Sequence, residues 1–104
     1  MTLLENPAGG LSSGRKVCTT AGTAEQIVTE VTSVISVAIQ AETTNSAEIA
    51  VGDSNVVAID DAERGIILAA GESTTLAIGD LALVWIDAKS SGDGISYLCL
   101  KASS

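Results

Sequence analysis

Val34-Ile35-Ser36-Val37-Ala38-Ile39-Gln40-Ala41 is the stretch that decides the fold class. Ile35, Val37 and Ile39 alternate with Ser36, Ala38 and Gln40. A two-residue apolar period over this length is the signature of a strand with one face on a core and the other in water. Outward in both directions the same kind of segment recurs, cut by turn-forming residues. Toward the C-terminus, Asn45-Ser46 turns the chain. Ile49 and Val51 then alternate with Glu48, Ala50 and Gly52, and Gly52-Asp53-Ser54-Asn55 turns it again. Val56 to Ile59 continues as strand, and Asp60 to Gly65 is a charged loop. Ile66 to Leu68, Thr74 to Ile78, Leu83 to Asp87 and Ile95 to Lys101 follow, separated by Ala70-Gly71-Glu72-Ser73, Gly79-Asp80 and Ser90-Ser91-Gly92-Asp93-Gly94.

Toward the N-terminus, Ile27-Val28-Thr29-Glu30-Val31-Thr32 is β-branched and extended. Thr23-Ala24-Glu25-Gln26 before it matches a helix capping box, but no helical period follows. Arg15 to Thr20 is the first expected strand. Residues 1–14, with Asn6-Pro7-Ala8-Gly9-Gly10 and Ser12-Ser13-Gly14, read as a flexible arm carrying Leu3, Leu4 and Leu11. Such an arm is either a frayed end or a segment that orders by docking its leucines on a neighbour.

Eight or nine short strands at a spacing of roughly ten residues predict an all-β, antiparallel sandwich spanning 15–104. A jelly-roll-like arrangement is the preferred topology and an immunoglobulin-like sandwich the alternative. The last two strands depart from clean alternation. Leu83 and Trp85 oppose Val84 and Ile86, while Ile95, Tyr97 and Cys99 oppose Leu98 and Leu100. A sheet with one wet face should not do this. Either these strands are central in a core or their outer face meets another subunit.

The chain of 104 residues makes one domain with a modest core, which self-association would supplement. Its apolar mass is aliphatic: there is no Phe, one Trp and one Tyr. Thirteen acids against five bases give a net charge of −8, which repels phosphate backbones and argues against nucleic acid. Cys18 and Cys99 are too far apart in sequence for a metal or redox CxxC motif and read as buried free thiols. No stretch approaches the roughly 18 apolar residues of a membrane span, and the N-terminus does not read as a secretory signal.

Chemistry-bearing patterns are sparse. There is no His, the commonest general base and a frequent metal ligand. No Ser sits in a Gly-x-Ser-x-Gly setting. Asp60, Asp61 and Glu63 lack the spacing of an EF-hand loop and read as solvated. The bases Arg15, Lys16, Arg64, Lys89 and Lys101 are scattered. Trp85 reads as a core residue. No catalytic residue, cofactor, metal or small-molecule substrate is expected, and a small hydrolase is the weakest of the readings.

The order of the turns and strands carries a resemblance. Asn45 followed by Ile49-Ala50-Val51-Gly52-Asp53-Ser54 resembles the N-x-G-x-I-x-V-G-x-S region of small structural proteins of tailed bacteriophages. Leu68-Ala69-Ala70-Gly71-Glu72-Ser73 is similar to their L-x-P-G-E-S turn, with Ala70 where proline is usual. Asp80-Leu81 with Leu83-Val84-Trp85-Ile86 is similar to D-L-x-x-I-Y-V, and Gly92-Asp93 with Ile95-Ser96-Tyr97 to G-D-x-V-S-Y. The resemblance spans roughly Gln26 to Leu100. It implies a virion protein of the capsid decoration (cement) or head-fibre type. The expected partner is the major capsid protein, on the outer surface of a head assembled in the bacterial cytoplasm, with the chain acting as a homotrimer. A receptor- or carbohydrate-binding fibre module is the alternative. The residues expected at the interface are Leu3, Leu4, Leu11, Val84, Ile86, Leu98 and Leu100.

Overall fold

A computed structural model describes residues 8–102 of the chain. Eight strands form: β1 (Ala8–Val17), β2 (Glu25–Gln26), β3 (Val34–Ala41), β4 (Ile49–Gly52), β5 (Ile66–Leu68), β6 (Ser73–Ala77), β7 (Trp85–Ala88) and β8 (Gly94–Ala102). One 3-10 turn, Leu81–Leu83, precedes β7. Asp80 caps it by accepting from the Ala82 N–H at 3.0 Å.

The strands make two four-stranded antiparallel sheets, ordered β1-β8-β3-β6 and β2-β7-β4-β5. Every strand of the first half pairs with its mirror in the second half: β1 with β8, β2 with β7, β3 with β6, β4 with β5. A chain folded back on itself and then wrapped into two layers gives this order. It is the eight-stranded jelly roll, one of the ways antiparallel chains limit their exposed edges. An immunoglobulin-like sandwich has a different strand order.

The core lies between the layers. Val37 and Ile39 of β3, Ile49 and Val51 of β4, Ile86 of β7, Ile95 and Cys99 of β8, with Leu81 and Val84, are essentially solvent-free. All are aliphatic or thiol side chains, so the layers sit close without aromatic filler. Tyr97 is the exception: it faces inward across Gly14 of β1, where an added Cβ would lie 2.6 Å from its hydroxyl. A bulge between Val34 and Ser36 resets the alternation at the start of β3. Val34 is thereby buried and Ile35, expected to face the core with Val37, is 36% exposed.

Four sequence expectations need correction. The sandwich does not begin at Arg15: β1 starts at Ala8, so the second half of the expected arm is strand. Its Gly and Ser residues supply backbone groups to the β8 ladder, which needs no apolar side chain, and a bulge between Ala8 and Leu11 absorbs the irregularity. Val56 to Ile59 is not a strand. It holds one isolated bridge, Val57 to Arg64, and lies as a cover over the outer face of the second sheet. None of the extended run Ile27 to Thr32 is strand: the pairing falls on Glu25–Gln26, inside the capping-box match before it, and Val31 is 81% exposed. Leu83 belongs to the 3-10 turn rather than to a strand, and points to solvent at 59% exposure.

Two buried carboxylates hold the loops on this frame. Asp87, on β7, accepts from the N–H groups of Gly22 at 2.9 Å and Ala58 at 2.8 Å, fastening two loops at once. Asp93 accepts from the backbone of Ser46 and Ala47, and Asn45 exchanges two hydrogen bonds with the Gly94 backbone. The β3–β4 loop is thus stitched to the β7–β8 turn.

Cys18 and Cys99 are buried free thiols. Cys99 pairs across from Ser12, and Cys18 lies six positions further along that strand direction. At roughly 3.3 Å per residue this is about 20 Å, far beyond disulfide reach. Burial pushes the Cys18 thiol pKa up, which keeps it protonated.

Candidate functional site

The outer face of the β1-β8-β3-β6 sheet is the feature most unlike the rest of the surface. Its geometry follows from register. Leu11 of β1 pairs with Leu100 of β8, which pairs with Ser36 of β3 and through it Ala77 of β6. The next row is Ser13, Leu98, Ala38 and Thr75, and the next Arg15, Ser96, Gln40 and Ser73. Leu11 is 67% exposed, Leu98 47%, and Leu100 half-buried. Together the three leucines make a ridge on the β1–β8 side, flanked by short Ala, Ser and Thr side chains.

The charge pattern is equally distinct. Among the described residues of these rows only Arg15 is charged, although the chain carries 13 acids. Arg15 is itself engaged: its Nε donates to Glu42 at 2.6 Å and its Nη2 at 3.0 Å. That bidentate pair raises the pKa of a guanidinium that is charged in any case. Depletion of charge around exposed apolar groups is what the core of a protein–protein interface looks like. A shallow depression lined by Ser13, Arg15, Gln40, Ser96 and Leu98 lies on the same face, without convergent catalytic groups.

The structure sorts the expected interface residues. It brings Leu11, Leu98 and Leu100 together. Leu3 and Leu4 lie outside the described residues. Val84 and Ile86 do not belong to an outer face: they are 1% and 0% exposed and pack in the core. Strand β7 is buried on both sides for another reason. Its outer residue Trp85 is covered by Val56 and Ala58, with Ala24, Ala50 and Ile67 alongside. A loop of the same chain does there what a second subunit was expected to do. No local sequence signal separated the two strands, because both are central and both read as doubly apolar.

The acidic groups offer no catalytic arrangement. Glu48, Asp60 and Glu63 approach one another closely enough to share an ion. However, the Lys89 ammonium already lies 2.6 Å from both Glu48 and Asp60. The hydrogen bonds that Lys89 donates to Asp60 and Glu48 raise its pKa, so the position is filled by a cation supplied by the chain. At the opposite edge, burial alone would raise the Glu25 pKa, but Lys16, Thr19 and the Thr20 N–H outweigh it and hold it below the ordinary value. Glu25 and Lys16 clasp β2 to β1 across the two layers. No helix among the described residues is long and apolar enough to cross a membrane.

No protein-family model matches this chain, and no curated protein matches it.

Proposed function

We propose that this chain is a capsid decoration, or cement, protein of a tailed bacteriophage. It binds the outer surface of the head through the major capsid protein, as a homotrimer, and acts by adhesion without catalysis. The observation that carries this reading is the outer face of the β1-β8-β3-β6 sheet, with Leu11 and Leu98 exposed among side chains of which only Arg15 is charged. Exposed apolar surface on a small sandwich marks an interaction site. The depression on this face is open, whereas small ligands are taken up in sites that enclose most of their surface. The net charge of −8 suits an exterior position, away from packaged nucleic acid. The resemblance of the turn and strand motifs supplies the virion setting.

The mechanism is mechanical. A multivalent protein that touches neighbouring capsid subunits adds its contact free energy to what must be broken to separate them. Three linked attachments exceed one by avidity without new contacts. The fibre-module alternative is less well supported, because sugar platforms use exposed aromatic faces. Here Trp85 lies under a loop and Tyr97 lies across Gly14.

The test uses heads of a phage carrying this gene, prepared without the protein. Purified chain should bind them and raise the temperature or osmotic shock at which DNA is released. Absence of binding, or binding with unchanged DNA release, overturns the reading.

A further inference from the structure

We infer that residues 1–7 dock on their own molecule, seating Leu3 and Leu4 in an apolar cleft at the end of the sandwich where β1 begins. The cleft opens between the layers, with a volume of about 360 Å³. Buried Val51 and Val84 line it together with Leu76 and Ile78, and Ile66 and Leu83, 42% and 59% exposed, stand at its mouth.

Strand register fixes where this cleft lies relative to the start of β1. In their sheet β1 begins, β8 ends, β3 begins and β6 ends on the same side. Ala8 pairs with Ala102, the Ala102 N–H donates to the Ser33 carbonyl, and Ser33 bridges to Asp80. Asp80 in turn falls between Ile78 and Leu83 of the cleft in the sequence. From Ala8 to Asp80 is therefore a row of strand spacings amounting to about 14 Å. At roughly 3.3 Å per residue, extended chain leaving Ala8 carries Leu4 up to about 13 Å and Leu3 up to about 16 Å. The two leucines bracket the distance. Pro7 favours such a path, because the residue before a proline, here Asn6, is biased to extended backbone. An apolar stepping point lies at the same end. The Thr32 N–H donates to the Asp80 carboxylate at 2.9 Å, and Val31 beside it is 81% exposed.

Tethering decides between this segment and other occupants. A short linker holds a segment near its site at an effective concentration on the order of millimolar, above that of a second copy at ordinary working concentrations. Removing Leu3, Leu4, Ile66 and Leu83 from water together supplies the driving force. Leu11 and Leu98 are on the outside of the sheet, whereas the cleft opens between the layers. The docking therefore concerns the purified chain and does not depend on the capsid reading.

The test compares methyl NMR spectra of the full chain, of a chain lacking residues 1–7, and of the double variant Leu3→Ser, Leu4→Ser. Neither change removes a residue of the described strands, and thermal melts check that both variants fold. The methyl resonances of Ile66, Leu76, Ile78 and Leu83 should shift in both variants, while those of Ile39 and Ile95 in the core stay in place. Within the full chain, through-space contacts should join Leu3 or Leu4 to Leu83. In a mixture of isotope-labelled and unlabelled full chains, no such contact should pass between copies. Cleft resonances unmoved by the deletion overturn the inference. Contacts between copies also overturn it and assign the cleft to the segment of a second molecule. Shifts confined to Leu11 and Leu98 overturn it by placing the segment on the outer face.

Discussion

Asp87 shows how a single residue can decide whether loops belong to the fold. It is fully buried on β7, and its two oxygens accept from Gly22 and Ala58, which lie in loops far apart in sequence. Replacing it with Ala would leave the buried Ala58 N–H without a partner and weaken the hold on Gly22. An orphaned buried donor costs about 1–3 kcal/mol, and lost bonds to a charged acceptor fall in a similar range. Asp87→Ala should therefore lower stability by roughly 2–4 kcal/mol, read as a lower urea midpoint, with the loop over Trp85 loosened. Glu25 makes a pH-dependent contribution. Its folded-state pKa is depressed, so the folded chain binds fewer protons there than the unfolded chain does. The stability it supplies is present above its ordinary value of 4.5 and is lost as pH falls through the lowered one. Glu25→Gln should be less stable than wild type at pH 7 and approach it at the acid end. A difference that persists unchanged in acid would contradict the assigned ion pair with Lys16.

Among the elements, the turn between β5 and β6 is the clearest case of local sequence dictating local structure. The Glu72 N–H donates to the Ala69 carbonyl at 2.9 Å, and Gly71 has φ of 84° at the third position. That is a type II turn, in which glycine takes the positive φ and proline is favoured at the second position. Ala70 occupies that second position, and its exposed side chain leaves room for a ring. Ala70→Pro should stabilise the protein by about 0.4–1 kcal/mol, mainly by restricting the unfolded chain. Thermal unfolding would show it as a raised midpoint, and a lowered midpoint would refute the turn assignment. The turns were legible in the sequence because their chemistry is local. The part of β1 before Arg15 was not, because its Gly and Ser residues enter the strand through pairing with β8, a contact formed across almost the whole chain. The loss of Val56 to Ile59 from the sheets has the same origin: a tertiary use of those residues as a cover for Trp85 overrode their strand-like composition.

The whole molecule is a small jelly roll whose two faces are finished differently. One sheet is covered on its outside by its own loop, and the other presents leucines and small side chains. The sandwich class and the preferred topology followed from the count and spacing of strands. The candidate face was only half legible: Leu98 and Leu100 stood out on β8, and Leu11 joins them only through the β1 register. Val84 and Ile86 carried the same apolar signal as Leu98 and Leu100, and only the three-dimensional fold separates core from face. The central claim is that this face attaches the chain to a phage head. The most direct measurement is co-sedimentation of wild type and Leu98→Asp with heads prepared without the protein. Wild type should saturate at a fixed number of copies per head, and the folded Leu98→Asp variant should bind at least about tenfold more weakly. Equal binding by the two, or no binding by either, would contradict the account.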